Sequence, residues 1–120
     1  MTDNQYTDKN GETVTVRRDP QQEAFEIRTQ ADEVAGHAYF RTRGEERIFH
    51  HTVVGEEFGG RGVGTALVRG AVESTRAEGV QIVAVCPMVK GFLEKHPDEF
   101  SGAYRLPTPD DLAWLRQEES

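Results

Sequence analysis

Residues 48–67 read Ile48-Phe49-His50-His51-Thr52-Val53-Val54-Gly55-Glu56-Glu57-Phe58-Gly59-Gly60-Arg61-Gly62-Val63-Gly64-Thr65-Ala66-Leu67, and within them the chain changes period. Ile48 to Val54 is rich in β-formers on both faces, apart from its two histidines. It predicts a central strand. After Phe58, residues Val63, Ala66, Leu67, Gly70, Ala71 and Ser74 fall on one helical face, with Arg69, Glu73 and Arg76 on the other. Gly79 suits the C-terminal cap, so the helix is predicted over about 62–78. The glycines between lie where a strand hands over to a helix. They let backbone approach a ligand closely, and the free N–H groups of a helix start attract an anion. From the residues alone the loop is either a phosphate cradle or a plain glycine turn. It is not a P-loop, because Thr65 follows Gly64 where a lysine is required. It is not a dinucleotide fingerprint either, because counting from Gly60 or Gly62 puts Thr65 or Leu67 at the third glycine.

Working outward, Val14 and Val16 alternate with Thr13, Thr15 and Arg17, and Phe25 and Ile27 alternate with Glu26 and Arg28, around an Asp19-Pro20 turn. Val34, Gly36, Ala38 and Phe40 share one face of a third strand. On the C-terminal side, Val80 to Val85 predicts a buried strand. Pro87 opens a second helix that ends near Lys95, before His96-Pro97. Residues 1–12 read as a polar, disordered tail. Residues 13–106 form one domain. Residues 107–120 are an acidic segment with a possible short helix carrying Leu112, Trp114 and Leu115. The fold class is α+β, an antiparallel meander leading into a strand–helix–strand unit.

The chain has 120 residues, with 14 basic and 21 acidic side chains and a formal charge of −7. No basic block is present, which argues against a nucleic-acid binder and mildly favours cationic partners such as amines. One cysteine excludes an internal disulfide and fits a reducing compartment. No apolar run approaches the roughly 20 residues of a membrane span. A soluble cytoplasmic protein, monomeric or weakly dimeric, is expected.

The glycine loop, R-G-x-G at the head of a helix, resembles the GNAT superfamily of acyl-CoA-dependent N-acetyltransferases. The resemblance extends to a small single-domain GNAT-like subgroup. It is carried by Val16 with Phe25-Glu26, by His51-Thr52-Val53-Val54, by Phe58, Gly60, Gly62 and Gly64, and by Cys86-Pro87, Phe92, His96-Pro97 and Phe100, over roughly residues 13–102. It implies central strands that splay around the pantetheine of acetyl-CoA. Val53 and Val54 would hold the thioester and pantetheine amides. Phe58, Gly59, Gly60, Arg61, Gly62, Val63, Gly64 and Thr65 would form the pyrophosphate loop, with Lys90 and Phe92 on the second helix as further cofactor contacts. Most GNAT proteins place Arg or Gln where Gly59 stands, so binding here leans on backbone and Arg61. The helices that usually wall the acceptor site are replaced by a turn. This implies an open acceptor side and a large, flexible or poorly specified primary amine; the acceptor is a small amine or a protein lysine or N-terminus.

Cys86 ends the buried strand at a helix N-cap, a position that favours a thiolate. The subgroup resemblance also points to it, as proton donor to the departing thiolate or as transient acetyl carrier; otherwise it is a small buried hydrophobe. His51 is a second candidate, as base. Adjacent His50 and His51 point to opposite sheet faces, so they make no metal site together, and no metal is expected. Glu56 and Glu57 flank the loop as possible proton acceptors. Tyr39 and Tyr104 enter only because GNAT enzymes often use a tyrosine acid. The resemblance thus implies an acetyl-CoA-dependent N-acetyltransferase; the alternative is a non-catalytic acyl-CoA-binding sensor or interaction module.

Overall fold

The computed structural model describes residues 4–59 and 62–118. Seven strands form one sheet in sequence order: β1 (Asn4–Thr7), β2 (Thr13–Arg18), β3 (Ala24–Arg28), β4 (Val34–Arg43), β5 (Glu46–Val54), β6 (Gln81–Ala84) and β7 (Tyr104–Arg105). β1 to β5 are an antiparallel meander, whereas β6 and β7 add in parallel. A 3-10 turn (Glu56–Phe58) precedes α1 (Val63–Ala77), which crosses from β5 to β6. α2 (Pro87–Lys95) crosses from β6 to β7, and α3 (Pro109–Glu118) ends the described chain. The predicted α+β architecture is therefore observed, with both crossover helices within one or two residues of their expected bounds.

α1 and α2 cover one face of the sheet. Phe25, Phe40 and Phe49 meet there with ring centroids 5.7–6.2 Å apart, and Leu67, Val68, Val89, Phe92 and Leu93 close over them. Burying each such side chain contributes about 1.5–3 kcal/mol. α1 lies so close to β2 that a Cβ on Gly70 would come within 2.5 Å of Val16 Cβ, so only glycine fits at this crossing. No helix among the described residues is long and apolar enough to cross a membrane.

Two expectations are corrected. Asn4–Thr7, read as part of a tail, pair along β2 from Asn4↔Val16 to Thr7↔Thr13. Alternation was invisible in Asn4-Gln5-Tyr6-Thr7 because polar contacts anchor this strand. The Tyr6 hydroxyl bonds Glu73 on α1, and Asn4 Nδ2 donates to Ser74 Oγ at 3.2 Å. The second correction is β7, which is too short to show a pattern.

The C-terminal segment is a helix docked on the opposite face. Leu115 packs against Ile48 and Val83, with Trp114 beside them under the Arg43 guanidinium at 5.3 Å. Asp111 is 1% exposed. Its carboxylate accepts from Arg105 Nη1 and Nη2 at 2.7 and 3.0 Å, and from Thr108 N at 2.7 Å. Arg105 also grips Glu46 on β5 through Nε and Nη2, both at 2.8 Å. The Arg105 hydrogen bonds hold the Asp111 carboxyl far below its ordinary value of 3.8, outweighing the opposing effect of burial.

A carboxyl depressed on folding stabilises fully above its unfolded value. Stability drains as pH falls through the folded value. Asp111→Asn is expected to lower unfolding free energy by about 2–3 kcal/mol at pH 7. The gap to wild type should narrow as pH drops below 3.8, where the carboxyl of the unfolded chain takes up a proton that the folded Asp111 still refuses. Urea unfolding across a pH series checks this, and a gap that widens at low pH would contradict it.

Candidate functional site

Sheet pairing defines a cleft. β5 pairs with β6 only from Glu46↔Gln81 to Phe49↔Ala84, although β5 runs on to Val54. On its other side β5 keeps β4 throughout, but Phe49 opposes Phe40 while His51 opposes Tyr39. His50 is thus an extra residue, a β-bulge of the kind that bends a strand and ends a neighbouring ladder. β6 itself stops at Ala84 and turns into α2, so among the described residues β5 beyond His50 has no neighbouring strand on that side.

Cys86 stands at the apex of this opening. Phe49 O accepts from both Val85 N (3.1 Å) and Cys86 N (2.8 Å), which turns the chain sharply from β6 into α2. Cys86 is the extended N-cap of α2 and is 4% exposed. Its Sγ lies 3.2 Å from Thr52 Oγ1 across the cleft. The sequence shows Thr52 only as part of the His51–Val54 run and gives no sign of this contact, which joins positions 34 apart.

α1 begins at the mouth of the cleft. Gly62, its N-cap, has φ 77° and ψ 9°, the left-handed conformation that favours glycine. Among the described residues no side chain caps this end, and no acidic residue lies in its first turn. The leading N–H groups of Val63, Gly64 and Thr65 have no acceptor inside the helix and point outward. A Cβ on Gly64 would sit 2.8 Å from Met88 Cε and 3.6 Å from Val54 Cγ2, so α1, α2 and β5 converge on this glycine. Gly60 and Arg61 lie outside the described residues. Gly59 donates its N–H to Glu56 O at 3.1 Å.

Other predicted residues are dispersed. Phe58 and Val63 are buried in the core. Val53 is 45% exposed and faces away from α1, opposite His37. His51 lies on that outer face too, stacked on Tyr39 (6.2 Å), which stacks on His37 (5.5 Å). The structure therefore places His51 and Cys86 on opposite sides of β5. Glu56 and Glu57 are exposed. Tyr104 is half-buried on β7, packed against the main core. Asp19, Glu26 and His37 bring donor atoms within 4.8 Å on the outer face. Glu26 is already held by Arg17 at 2.8 Å and Arg28 at 2.6 Å, leaving little charge for a cation.

A groove of about 290 Å³ runs between α1 and α2, lined by Thr65, Met88, Phe92, Lys95 and His96 among others. Lys90 is exposed and lies off it. Helical spacing explains the exchange. Met88, Gly91, Phe92 and Lys95 follow i, i+3, i+4, i+7, whereas position 90 points elsewhere. Phe92 is buried, against His96 (4.5 Å) and under the Arg69 guanidinium (5.0 Å).

A bulged strand that outruns its parallel neighbour, beside a glycine-led helix, agrees with the arrangement the sequence resemblance implied. The sequence profile of the GCN5-related N-acetyltransferases matches residues 24–102, more than half of the chain. The chain belongs to this family. It also resembles the solution structure of a GCN5-like candidate N-acetyltransferase from Staphylococcus aureus. That likeness has a TM-score of 0.57 and 26% identity, over 78% of this chain and 90% of the other. No curated protein sequence matches it. This acetyltransferase carries β1, β2, β7 and α3 outside the matched range.

Gly62→Ala is expected to destabilise the acetyltransferase by about 1–2 kcal/mol through its positive φ. Its Cβ would also meet Lys9 Cγ at 3.2 Å. Chemical denaturation measures the change, and an unchanged midpoint would refute the strained cap.

Proposed function

We propose that this acetyltransferase moves the acetyl group of acetyl-CoA onto a primary amine within the β5–β6 cleft. The observation that carries the reading is the cleft itself, with Cys86 bridged to Thr52 at its apex and an uncapped helix N-terminus at its mouth. The first-turn N–H groups of Val63, Gly64 and Thr65, with Gly60 and Arg61 of the loop, bind the pyrophosphate. The groove with Phe92, Lys95 and His96 receives the nucleotide end.

Gly55 N donates to Ala35 O of β4 at 2.9 Å. N–H direction alternates along a strand, so the Val54 N–H turns from β4 toward the cleft. We assign it to the thioester carbonyl, where it stabilises the oxyanion. The neutral amine attacks the carbonyl carbon, and the carbon–sulfur bond breaks. Cys86 gives its thiol proton to the departing sulfur. The proton lost by the new amide nitrogen returns to Cys86 through water. The amine enters over the outer face, where Val53 and His51 are exposed. This supports an open acceptor side, and the chain's −7 charge favours cationic acceptors.

The test is CoA release from acetyl-CoA with a panel of primary amines. Cys86→Ala is expected to lower kcat about 100-fold while acetyl-CoA affinity changes far less. Full turnover by Cys86→Ala would remove the cysteine from the mechanism. An acetyl adduct on Cys86, seen by intact-protein mass spectrometry, would make it a nucleophile instead. Binding without release by the wild-type chain would leave an acyl-CoA sensor.

A further inference from the structure

Lys9 sits on the turn between β1 and β2, and that turn is firmly built. Asp8 is buried, and its Oδ1 accepts from Asn10 N and Glu12 N, both at 2.9 Å. Asp8 N donates to Glu12 O at 2.9 Å, Gly11 N donates to Asp8 O at 3.1 Å, and Gly11 takes φ 81°. β1 in turn is tied to α1 through Tyr6–Glu73 and Asn4–Ser74. The turn therefore holds a fixed position relative to the helix that carries the glycine loop.

The Lys9 stem lies across the head of that helix. A Cβ placed on Gly62 would be 3.2 Å from Lys9 Cγ, 3.7 Å from Cε and 3.8 Å from Cδ. The ammonium is one bond beyond Cε, and among the described residues it has no carboxylate partner. Gly62 has no side chain to block the stem, and its left-handed turn starts the helix just there. We propose that Lys9, delivered by the N-terminal hairpin over Gly62, is a phosphate-binding residue of the acetyl-CoA site. It supplies a cation beside a loop in which Gly59 offers no side-chain donor. The hairpin lies before the family-matched residues 24–102. The inference rests on the acetyl-CoA reading of the cleft.

The test compares acetyl-CoA with S-acetylpantetheine, which has the thioester arm but no phosphate, in titrations followed by NMR at two salt concentrations. Lys9→Gln is expected to weaken acetyl-CoA binding about tenfold, the scale of one hydrogen bond to a charged group. It should flatten the salt dependence and leave S-acetylpantetheine binding unchanged. Lys9→Arg should restore most of the affinity. A merely structural lysine would lower affinity for both ligands, or lower the unfolding midpoint, and either result overturns the proposal. Wild-type affinity for acetyl-CoA in Lys9→Gln also overturns it while the cleft reading stands. Failure of the wild-type chain to bind acetyl-CoA overturns both.

Discussion

Past Phe49, β5 has lost its ladder to β6, yet it still runs five residues further beside β4. The extra residue at His50 makes this possible. It rotates the end of β5 so that Thr52 and Val54 turn toward α1, while His51 and Val53 turn outward. Without that rotation Thr52 would not reach Cys86, and the backbone of Val54 would be used up in pairing. The sharp turn at Cys86 is the matching feature on the other wall, fixed by two N–H groups sharing the Phe49 carbonyl. An open backbone edge inside a sheet is normally a liability. Here it faces a glycine-led helix end, and in the proposed reading one elongated, anionic ligand meets the N–H groups of both.

The surrounding structure keeps that opening from collapsing. Below it, Ile48 and Val83 are pinned by α3, whose buried Asp111 ties Arg105 on β7 to Glu46 on β5. Above it, the phenylalanine cluster and the close Gly70–Val16 crossing fix α1 to the meander. Both terminal additions act on the same centre. The C-terminal helix braces the paired part of β5 and β6, and the N-terminal hairpin brings Lys9 to the head of α1. A cavity of about 600 Å³, lined by Arg18, Phe25, Arg76 and Glu78 among others, lies at the other end of α1 and shares no residue with the cleft.

What the sequence revealed follows the strength of each signal. The Val14/Val16 and Phe25/Ile27 alternations and the 3.6-residue stripe of α1 bury apolar side chains, and burial leaves a period. β1 buries little and is held by hydrogen bonds from Asn4 and Tyr6, so it left none. The glycine loop and Cys86 stand out in the sequence because each sits at a strand–helix junction. Their neighbours do not. Thr52 reaches Cys86, and Lys9 reaches Gly62, through tertiary packing that local pattern does not encode. Lys95 is legible in principle from the Met88–Gly91–Phe92–Lys95 stripe, whereas Lys90 stands off that stripe.

The central claim is that the β5–β6 cleft and the head of α1 together bind acetyl-CoA. The most direct measurement is a backbone amide NMR titration of the uniformly labelled chain with acetyl-CoA. The account predicts saturable shifts concentrated at Val54, Val63, Gly64, Thr65 and Cys86, continuing along α2 to Lys95. Shifts centred on Arg18 and Arg76 at the far end of α1, or none at millimolar acetyl-CoA, would contradict it.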